Sequence, residues 1–283
     1  MANLIGRIAR LQISSTVPAI GASVTSWIEV TGLRVSFTVK RTLKPDANSA
    51  SVEVYNLSET SRAQIKRKGV RVILEAGYQD VGLEGVIQGD CRLASHEQSG
   101  TEWVTRFELL DGGRALRYGR ASTSYAPGTP ISKAVSDLAS KFGLNGGQLA
   151  KQLPSLSAKT INGIVTHGGV GETLDKLLKP QAVSWSIQDG KLQILKSDAD
   201  HTELIPLISV DSGLIGSPKL ITPDKNEGRS LLSFSSLLNP RIRPGCLVSV
   251  QSKQFNGQYR VETVTHKGDT HGADWSSDVE AIL

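Results

Sequence analysis

The chain has 283 residues, of which 39% are hydrophobic and 21% charged, and its net charge is +5. This length suffices for two or three domains with cores of their own, and this balance excludes a largely disordered protein. No apolar run reaches the roughly 18 to 20 residues of a membrane-spanning helix, no signal-peptide pattern opens the chain, and the basic residues are too dispersed for a nucleic-acid-binding stripe.

The first part of the chain, to about residue 118, is dominated by alternating apolar and polar residues. This period of two predicts strands that each bury one face. The predicted strands cover residues 4–13, 27–39, 50–55, 70–76, 83–89, 91–94 and 103–110. A short helix after Ser58, its expected N-cap, interrupts them. Many short strands separated by turns predict a barrel or a sandwich.

The middle of the chain has helical periodicity instead. Apolar residues recur at helical spacing from Ile131 to Phe142, and Thr129 and Pro130 are expected to cap and begin that helix. A second helix is predicted over 171–178. The dipeptide Asp189-Gly190 then predicts a tight hairpin turn between two strands. These elements indicate a small α/β unit.

The β pattern returns from about residue 204. Strands are predicted at 231–237, 247–251, 259–266 and 275–283. Asn256-Gly257 is the dipeptide typical of a type I′ hairpin turn, so it is expected to join the second and third of these strands. A polar loop is expected at 268–274.

No motif in the sequence predicts catalysis, a cofactor or a metal. The run from His167 to Thr173 resembles a phosphate loop, but Glu172 stands where the lysine belongs, so a flexible loop is expected there. Asp269 and its two histidine neighbours, His266 and His271, are expected to be turn and surface residues, since no third ligand has fitting spacing.

Cysteines, tryptophans and one basic cluster receive structural interpretations. Cys91 and Cys246 are far apart in sequence and are expected to be buried, reduced thiols. The four tryptophans fall on predicted strands, where core packing is favoured over a sugar-binding platform. The basic run 62–71 is interpreted as the solvated side of a short helix, with an acidic docking surface as the alternative.

The order of several short motifs resembles that of phage tail baseplate hub proteins, the family that includes the late-control tail proteins of contractile phages. In the first β-region the motifs are Gly32-Leu33-Arg34-Val35, residues 48–58, residues 72–78 and Val86-Ile87-Gln88-Gly89. In the last region they are residues 236–240, Pro244-Gly245, residues 257–261 and residues 266–270 before Trp275. The resemblance covers both β-regions and is weak through the middle.

The resemblance implies a mainly β, α+β fold with two tail-tube-like β-barrel domains, residues 1–118 and 204–283, and a small α/β domain, residues 119–203, between them. It further implies a non-enzymatic hub subunit that forms a homotrimer, joins the sixfold tail tube to the threefold central spike and lines the DNA channel. Expected partners are the spike protein, the tube protein or tube initiator, baseplate wedge proteins and the tape-measure protein, with DNA only as passing cargo. No membrane insertion is expected. The chain is expected to be assembled in the host bacterial cytoplasm and to end in the virion baseplate.

Assembly contacts are expected at strand ends and loops of the two barrels, because exposed strand ends are natural docking sites. The candidate residues are Asn56, Leu57, Ser58, Lys66, Arg67, Lys68, Gly268, Asp269, Thr270 and Trp275. Three alternatives stay open: a sixfold tail-tube or distal tail protein, a tail-associated peptidoglycan hydrolase, and a carbohydrate-binding module.

Overall fold

A computed structural model describes residues 6–19, 22–65, 70–144, 156, 162–196, 205–221 and 230–283. The chain divides into two compact units. Unit 1 contains residues 1–41, 49–110 and 201–283, and unit 2 contains residues 42–48 and 111–200. Each unit has its own hydrophobic core.

The described elements follow one another in this chain order. The first unit begins with β1 Arg7–Ala19, β2 Ala22–Val30, β3 Val35–Thr42, β4 Asn48–Tyr55, α1 Glu59–Gln64, β5 Arg71–Tyr78, β6 Gly82–Ser99 and β7 Glu102–Asp111. Next come α2 Gly113–Tyr118, β8 Arg120–Tyr125, α3 Ile131–Lys141, β9 Ile164–Gly169, α4 Val170–Leu178, β10 Val183–Gln188 and β11 Lys191–Lys196. The last are β12 Leu207–Ile208, β13 Leu214–Ile221, β14 Leu231–Leu237, β15 Leu247–Gln251, β16 Asn256–Asp269 and β17 Trp275–Ile282.

One 13-stranded sheet forms the framework of unit 1. Its main path runs β13-β14-β17-β16-β3-β4-β7-β6-β5-β1-β2, and β12 and β15 branch from β16. The junction between β16 and β3 joins the two ends of the chain into one sheet. The predicted mainly β fold class is confirmed. Within the described residues the path does not close on itself, so the two barrels stay a prediction.

Alternating burial explains why these segments form strands. Along β4 the apolar side chains of Ala50, Val52 and Val54 are buried, and along β17 every second side chain from Trp275 onward is buried. One cluster in unit 1 packs the side chains of β1 to β7, and a second packs those of β12 to β17. Leu238 and Trp275 come from the C-terminal part of the chain but pack into the first cluster. The two halves of unit 1 therefore share core residues as well as a sheet.

Unit 2 combines helices with short strands, and the predicted bounds of an α/β domain at 119–203 stay a prediction. Helix α3 buries Ile131, Val135 and Leu138 on one side, as its periodicity predicts. The Asp189-Gly190 turn is confirmed, with φ values of +54° and +70° and Gln188 paired to Lys191. Thr129 does not cap α3: its hydroxyl donates to the Ala126 carbonyl at 2.7 Å.

The loop between β3 and β4 belongs to unit 2, and a polar network holds it there. The Asn48 amide donates to Asp111 Oδ2 at 3.1 Å and to the Ile187 carbonyl at 2.8 Å. The Asp111 carboxylate accepts from the backbone N–H groups of Asp189 and Gly190 at 2.5 and 2.6 Å. Asn48 and Asp111 are both buried, so these bonds offset the cost of desolvating them.

Two turn predictions are wrong. Asn256 and Gly257 lie inside β16, paired with Gln251 and Val250, and the turn is formed by residues 252–255. The Asn256 carbonyl oxygen accepts from the Ser252 backbone N–H at 3.2 Å, so this side chain closes a longer loop instead of forming a tight one. The expected flexible loop at His167 is strand β9, since Gly168 pairs with Ala121 of β8.

Candidate assembly surfaces

The first group of predicted interface residues lies where β4 ends. Asn56 has a φ of +59°, its backbone N–H donates to the Trp103 carbonyl at 2.7 Å, and its side-chain oxygen accepts from the Trp103 N–H at 3.0 Å. Leu57 is buried, and the Ser58 hydroxyl caps α1 by accepting from the Ser61 N–H at 3.1 Å. Lys66, Arg67 and Lys68 lie outside the described residues.

The second group, residues 268–275, forms a segment that we call the junction loop. The Asp269 carboxylate binds Arg34 through two hydrogen bonds of 3.2 and 2.8 Å. It also accepts from the backbone N–H groups of His271 and Gly272, both at 2.9 Å. The hydrogen bond from Arg34 is the largest cause that lowers the pKa of Asp269 from its ordinary value. This carboxylate therefore stays ionised and organises the loop around it.

Further contacts fix the junction loop to the N-terminal half of unit 1. Thr270 and Val35 exchange two hydrogen bonds of 3.0 Å. The Trp275 ring packs edge-on against Phe37 and Tyr78, with ring centroids 5.8 and 6.3 Å apart. Arg7 lies over the same Trp275 ring at 5.7 Å. The four predicted interface residues of this loop thus make contacts within the chain, and their role between chains stays a prediction.

The strand that leads into the junction loop contains a buried histidine, which corrects the expectation of a surface residue. His266 is fully buried, and its Nδ1 lies 2.8 Å from the Ser277 hydroxyl. Burial, followed by the nearby charge of Arg41, lowers the pKa of His266 to about 3. Arg41 is itself buried and donates to the Val86 carbonyl at 2.9 Å. Strand β16 extends through Asp269, so the polar segment around His266 continues the strand.

The remaining candidate reactive groups are the two cysteines and any cluster of possible metal ligands. Cys91 is buried, and desolvation raises the pKa of its thiol to about 11, whereas Cys246 is only half-buried, contrary to expectation. Among the described residues no group of three or more His, Cys, Asp or Glu is placed to hold a metal ion. In the same ranges, no helix has both the length and the apolar character needed to cross a membrane.

Exposed apolar side chains are concentrated in one stretch of unit 1. Ten large hydrophobic side chains are exposed in the described part of the chain, and five of them lie between residues 207 and 221. They are Leu207, Val210, Ile215, Leu220 and Ile221. We call this stretch the 207–221 surface. It includes β13, the strand at one end of the sheet path, so one side of that strand has no neighbour in the described residues.

The opposite end of the sheet path is a two-stranded hairpin. Strand β1 pairs with β5 only from Arg7 to Ile13, and the Ser14 hydroxyl accepts from the Arg71 N–H at 2.7 Å. Beyond Ser14, residues 15–19 pair with residues 22–26 of β2. We call this extension the hairpin arm. Trp27 lies at its base and is 48% exposed, so the expectation of core packing is wrong for this tryptophan.

Several solved structures share this fold. A tail protein of prophage MuSo2 from Shewanella oneidensis is 11% identical, with a TM-score of 0.64 and coverage of 96% of each chain. A tail protein from Neisseria meningitidis is 10% identical, with a TM-score of 0.65 and coverage of 99% of this chain and 97% of that one. No protein-family model matches the sequence, and no curated protein matches it.

A third neighbour belongs to a secretion machine. The Escherichia coli c3393 protein is described as a type VI secretion component with structural similarity to the T4 bacteriophage tail proteins gp27 and gp5. It is 11% identical, with a TM-score of 0.60 and coverage of 88% of this chain and 73% of that one. At such identities the likeness establishes the fold alone. The resemblance to hub proteins is thereby confirmed at the level of the fold.

Proposed function

We propose that this chain is a structural subunit of a phage tail baseplate hub, a homotrimer that joins the sixfold tail tube to the threefold central spike and surrounds the DNA channel. The observation that carries the proposal is the sheet of unit 1, which is built from two separate parts of the chain and joined between β3 and β16. Tail-protein likenesses that extend over nearly the whole chain support it.

The two-part sheet suits a change of symmetry. In this proposal residues 1–118 and 204–283 each supply one tube-like domain, and residues 119–203 supply the smaller domain between them. Three copies then present six tube-like domains to a sixfold tube while keeping threefold symmetry towards a spike. Closed cyclic symmetry of this kind requires a self-complementary chain, so the exposed apolar stretches of unit 1 are the natural candidates for contact.

The chain acts in this proposal without chemistry of its own. The solved neighbours described above are named as tail and secretion components and none is named as an enzyme. Its partners are further copies of itself, the spike, the tube and the baseplate proteins around them, and its place is the virion tail.

The mass of the purified chain in solution tests the proposal. Light scattering is measured on the chain alone and mixed with the spike protein of the same tail. We expect a particle of three 30.3-kDa chains, formed alone or on the spike. A particle of six chains would instead support a tail-tube protein. A single chain under both conditions would refute the hub, and clearing of cell-wall preparations would then point to the hydrolase.

A further inference from the structure

The positive charge of the chain is concentrated in unit 2. Residues 42–48 and 111–200 contain 12 lysines and arginines and eight aspartates and glutamates, so this unit carries +4 of the net charge of +5. Between Asp111 and Asp137 the sequence has four basic residues and no acidic one. An excess of one sign of charge attracts partners of the opposite sign. Three of the four basic residues lie on helix α2 and at the start of β8: Arg114, Arg117 and Arg120.

The three arginines form one cluster on the surface. Arg114 and Arg117 are three positions apart on α2, so their side chains leave the same side of that helix. The guanidinium of Arg120 donates to the Arg117 carbonyl at 3.1 Å and to the Gly119 carbonyl at 2.9 Å. These two bonds hold Arg120 against the last turn of α2. All three arginines are exposed, so their charges face the solvent.

The cluster differs from most arginines of unit 1 in its lack of a neutralising carboxylate. Five arginines of unit 1 form ion pairs of 2.5 to 3.5 Å with a carboxylate: Arg10, Arg34, Arg71, Arg106 and Arg241. The arginines of the cluster form no ion pair with any carboxylate that the structure describes. Their positive charge is therefore available to a partner.

A nearby glutamate lies on the other side of strand β9. A side chain added at Gly169 would lie 3.6 Å from the Arg120 guanidinium, whereas one added at Gly168 would meet the Glu172 carboxylate. Successive residues of a strand face opposite sides of the sheet. Arg120 and Glu172 are thus separated by the backbone of β9, and Glu172 does not occupy the face that Arg120 presents.

Aromatic and aliphatic side chains are exposed beside the cluster. Tyr118, the last residue of α2, is 71% exposed, and Val165 of β9 is 75% exposed. Strand β9 pairs with β8 so that Gly169 lies opposite Arg120 and Val165 lies opposite Ser124. Arg120 and Val165 therefore share one face of this two-stranded sheet. Arginine and tyrosine are enriched in protein interfaces, where they contribute much of the binding energy.

We propose that this surface binds an acidic segment of another protein. The segment supplies carboxylates to the arginines and an apolar side chain that covers Val165. Carboxylates match the paired N–H groups of a guanidinium, which gives such contacts their geometry and strength. We call the surface the basic surface, and it consists of Arg114, Arg117, Tyr118, Arg120 and Val165.

The exposed valine favours a protein segment over a nucleic acid. The phosphates of a nucleic acid would also pair with the arginines, but they offer nothing to the apolar side chain of Val165. A protein segment uses both features of the basic surface. The chemistry of the segment is inferred from this surface alone, whereas its assignment to a neighbouring tail protein rests on the proposed hub function.

Peptide binding tests the inference. The probe is a short fluorescent peptide in which glutamates alternate with serines around one central leucine, and its anisotropy is measured with the full chain at low ionic strength. Arg114→Glu with Arg117→Glu should weaken binding by about tenfold or more. The matched control, Lys133→Glu with Lys191→Glu, makes the same change in net charge at exposed positions of α3 and β11 and should weaken binding less than about twofold.

A second comparison tests the apolar part of the basic surface. Val165→Ser should weaken binding of the peptide that contains leucine, because it removes the aliphatic contact. The same substitution should leave binding of a peptide with serine in place of leucine unchanged. Thermal unfolding of every variant checks that the chain is folded. An equal effect of Val165→Ser on both peptides would contradict the proposed contact.

Other outcomes separate the basic surface from the hub function. Equal losses in the two double variants would overturn the inference, since net charge alone would then explain the binding. Tighter binding of single-stranded oligothymidine than of the peptide, or no binding of the peptide at all, would also overturn it. If the chain has the mass of three copies, the hub function stands in each of these cases. A chain that binds the peptide as expected but stays single with and without the spike would refute the hub alone.

Discussion

The junction loop and the 207–221 surface lie in the same half of unit 1, but their side chains differ in burial and in their contacts within the chain. The junction loop buries Trp275 against Phe37 and ties Asp269 to Arg34 within one chain. The 207–221 surface leaves five large apolar side chains exposed. The recognisable, polar motif makes contacts within one chain, whereas the stretch without any motif leaves apolar side chains exposed for the proposed assembly.

Removal of the Trp275 ring should give the largest loss of stability among the substitutions considered. A smaller loss would contradict the comparison between the junction loop and the 207–221 surface. Trp275→Ala should lower the free energy of unfolding by about 3 to 5 kcal/mol, because it empties a buried aromatic site. Urea denaturation measures this loss. Trp27→Ala is the matched control: that ring is half-exposed, so a loss near or above 3 kcal/mol there would contradict the assignment.

Acidification should destabilise the chain through His266, which lies on the strand that leads into the junction loop. The pKa of His266 is about 3 in the folded chain and near its ordinary 6.5 in the unfolded chain, so the unfolded state binds the proton first. Stability is full above about pH 6.5 and falls as the pH drops towards 3, by roughly 3 kcal/mol between pH 7 and pH 4. Denaturation at several pH values measures the slope.

A substitution identifies the group responsible for that slope. His266→Asn cannot titrate and keeps a side-chain group near Ser277, so most of the slope should vanish. His271→Asn, at an exposed position, should leave it unchanged. Persistence of the full slope in His266→Asn would assign it to other groups.

Loss of the charge on Asp269 should have a smaller effect at neutral pH. Asp269→Asn weakens the paired hydrogen bonds to Arg34, and we expect a loss of about 1 to 2 kcal/mol, reduced by solvent because 38% of the Arg34 side chain is exposed. Because the pKa of Asp269 is lowered, the contribution of this carboxylate to stability is lost only as the pH falls below the ordinary carboxylate range. The contribution of His266 begins to fall at a higher pH. Asp274→Asn is the exposed control.

The smallest effect on stability should come from the 207–221 surface. Leu220→Ser should change the free energy of unfolding by less than about 0.5 kcal/mol, since half of that side chain is already exposed. It should nevertheless weaken self-association at least tenfold by light scattering or sedimentation. Thermal unfolding of the same sample checks that the chain is folded. Unchanged association would remove this surface from the interface.

Local patterns predicted local structure well in this chain. Alternation located most strands, helical spacing located α3, and Asp189-Gly190 located a turn, because each signal acts over a few neighbouring residues. Asn256-Gly257 failed because pairing of Gln251 with Asn256 favoured a longer loop. Helix α2 was missed, since its Gly112 start is set by the close approach of Ile187 from a distant strand.

The candidate site depended on distant partners that no local pattern contains. The polar run at 266–270 suggested a surface, but Arg34 and Val35 bind it from more than 200 residues away in sequence. The 207–221 surface has no polar motif, and its exposure depends on β13 being the end of the sheet path.

The β3–β16 junction also determines the order of events during synthesis. Val35 and Thr270 are separated by 235 positions, so β3 gains its second neighbour only after the ribosome has translated those residues. At an elongation rate of roughly 5 to 20 residues per second, this interval lasts on the order of ten seconds or more. Throughout it, β3 is an open edge and the site of the Trp275 ring beside Phe37 is unfilled. Such long-range pairing folds slowly and exposes the nascent chain to misassembly until Trp275 completes the core cluster of the earlier strands.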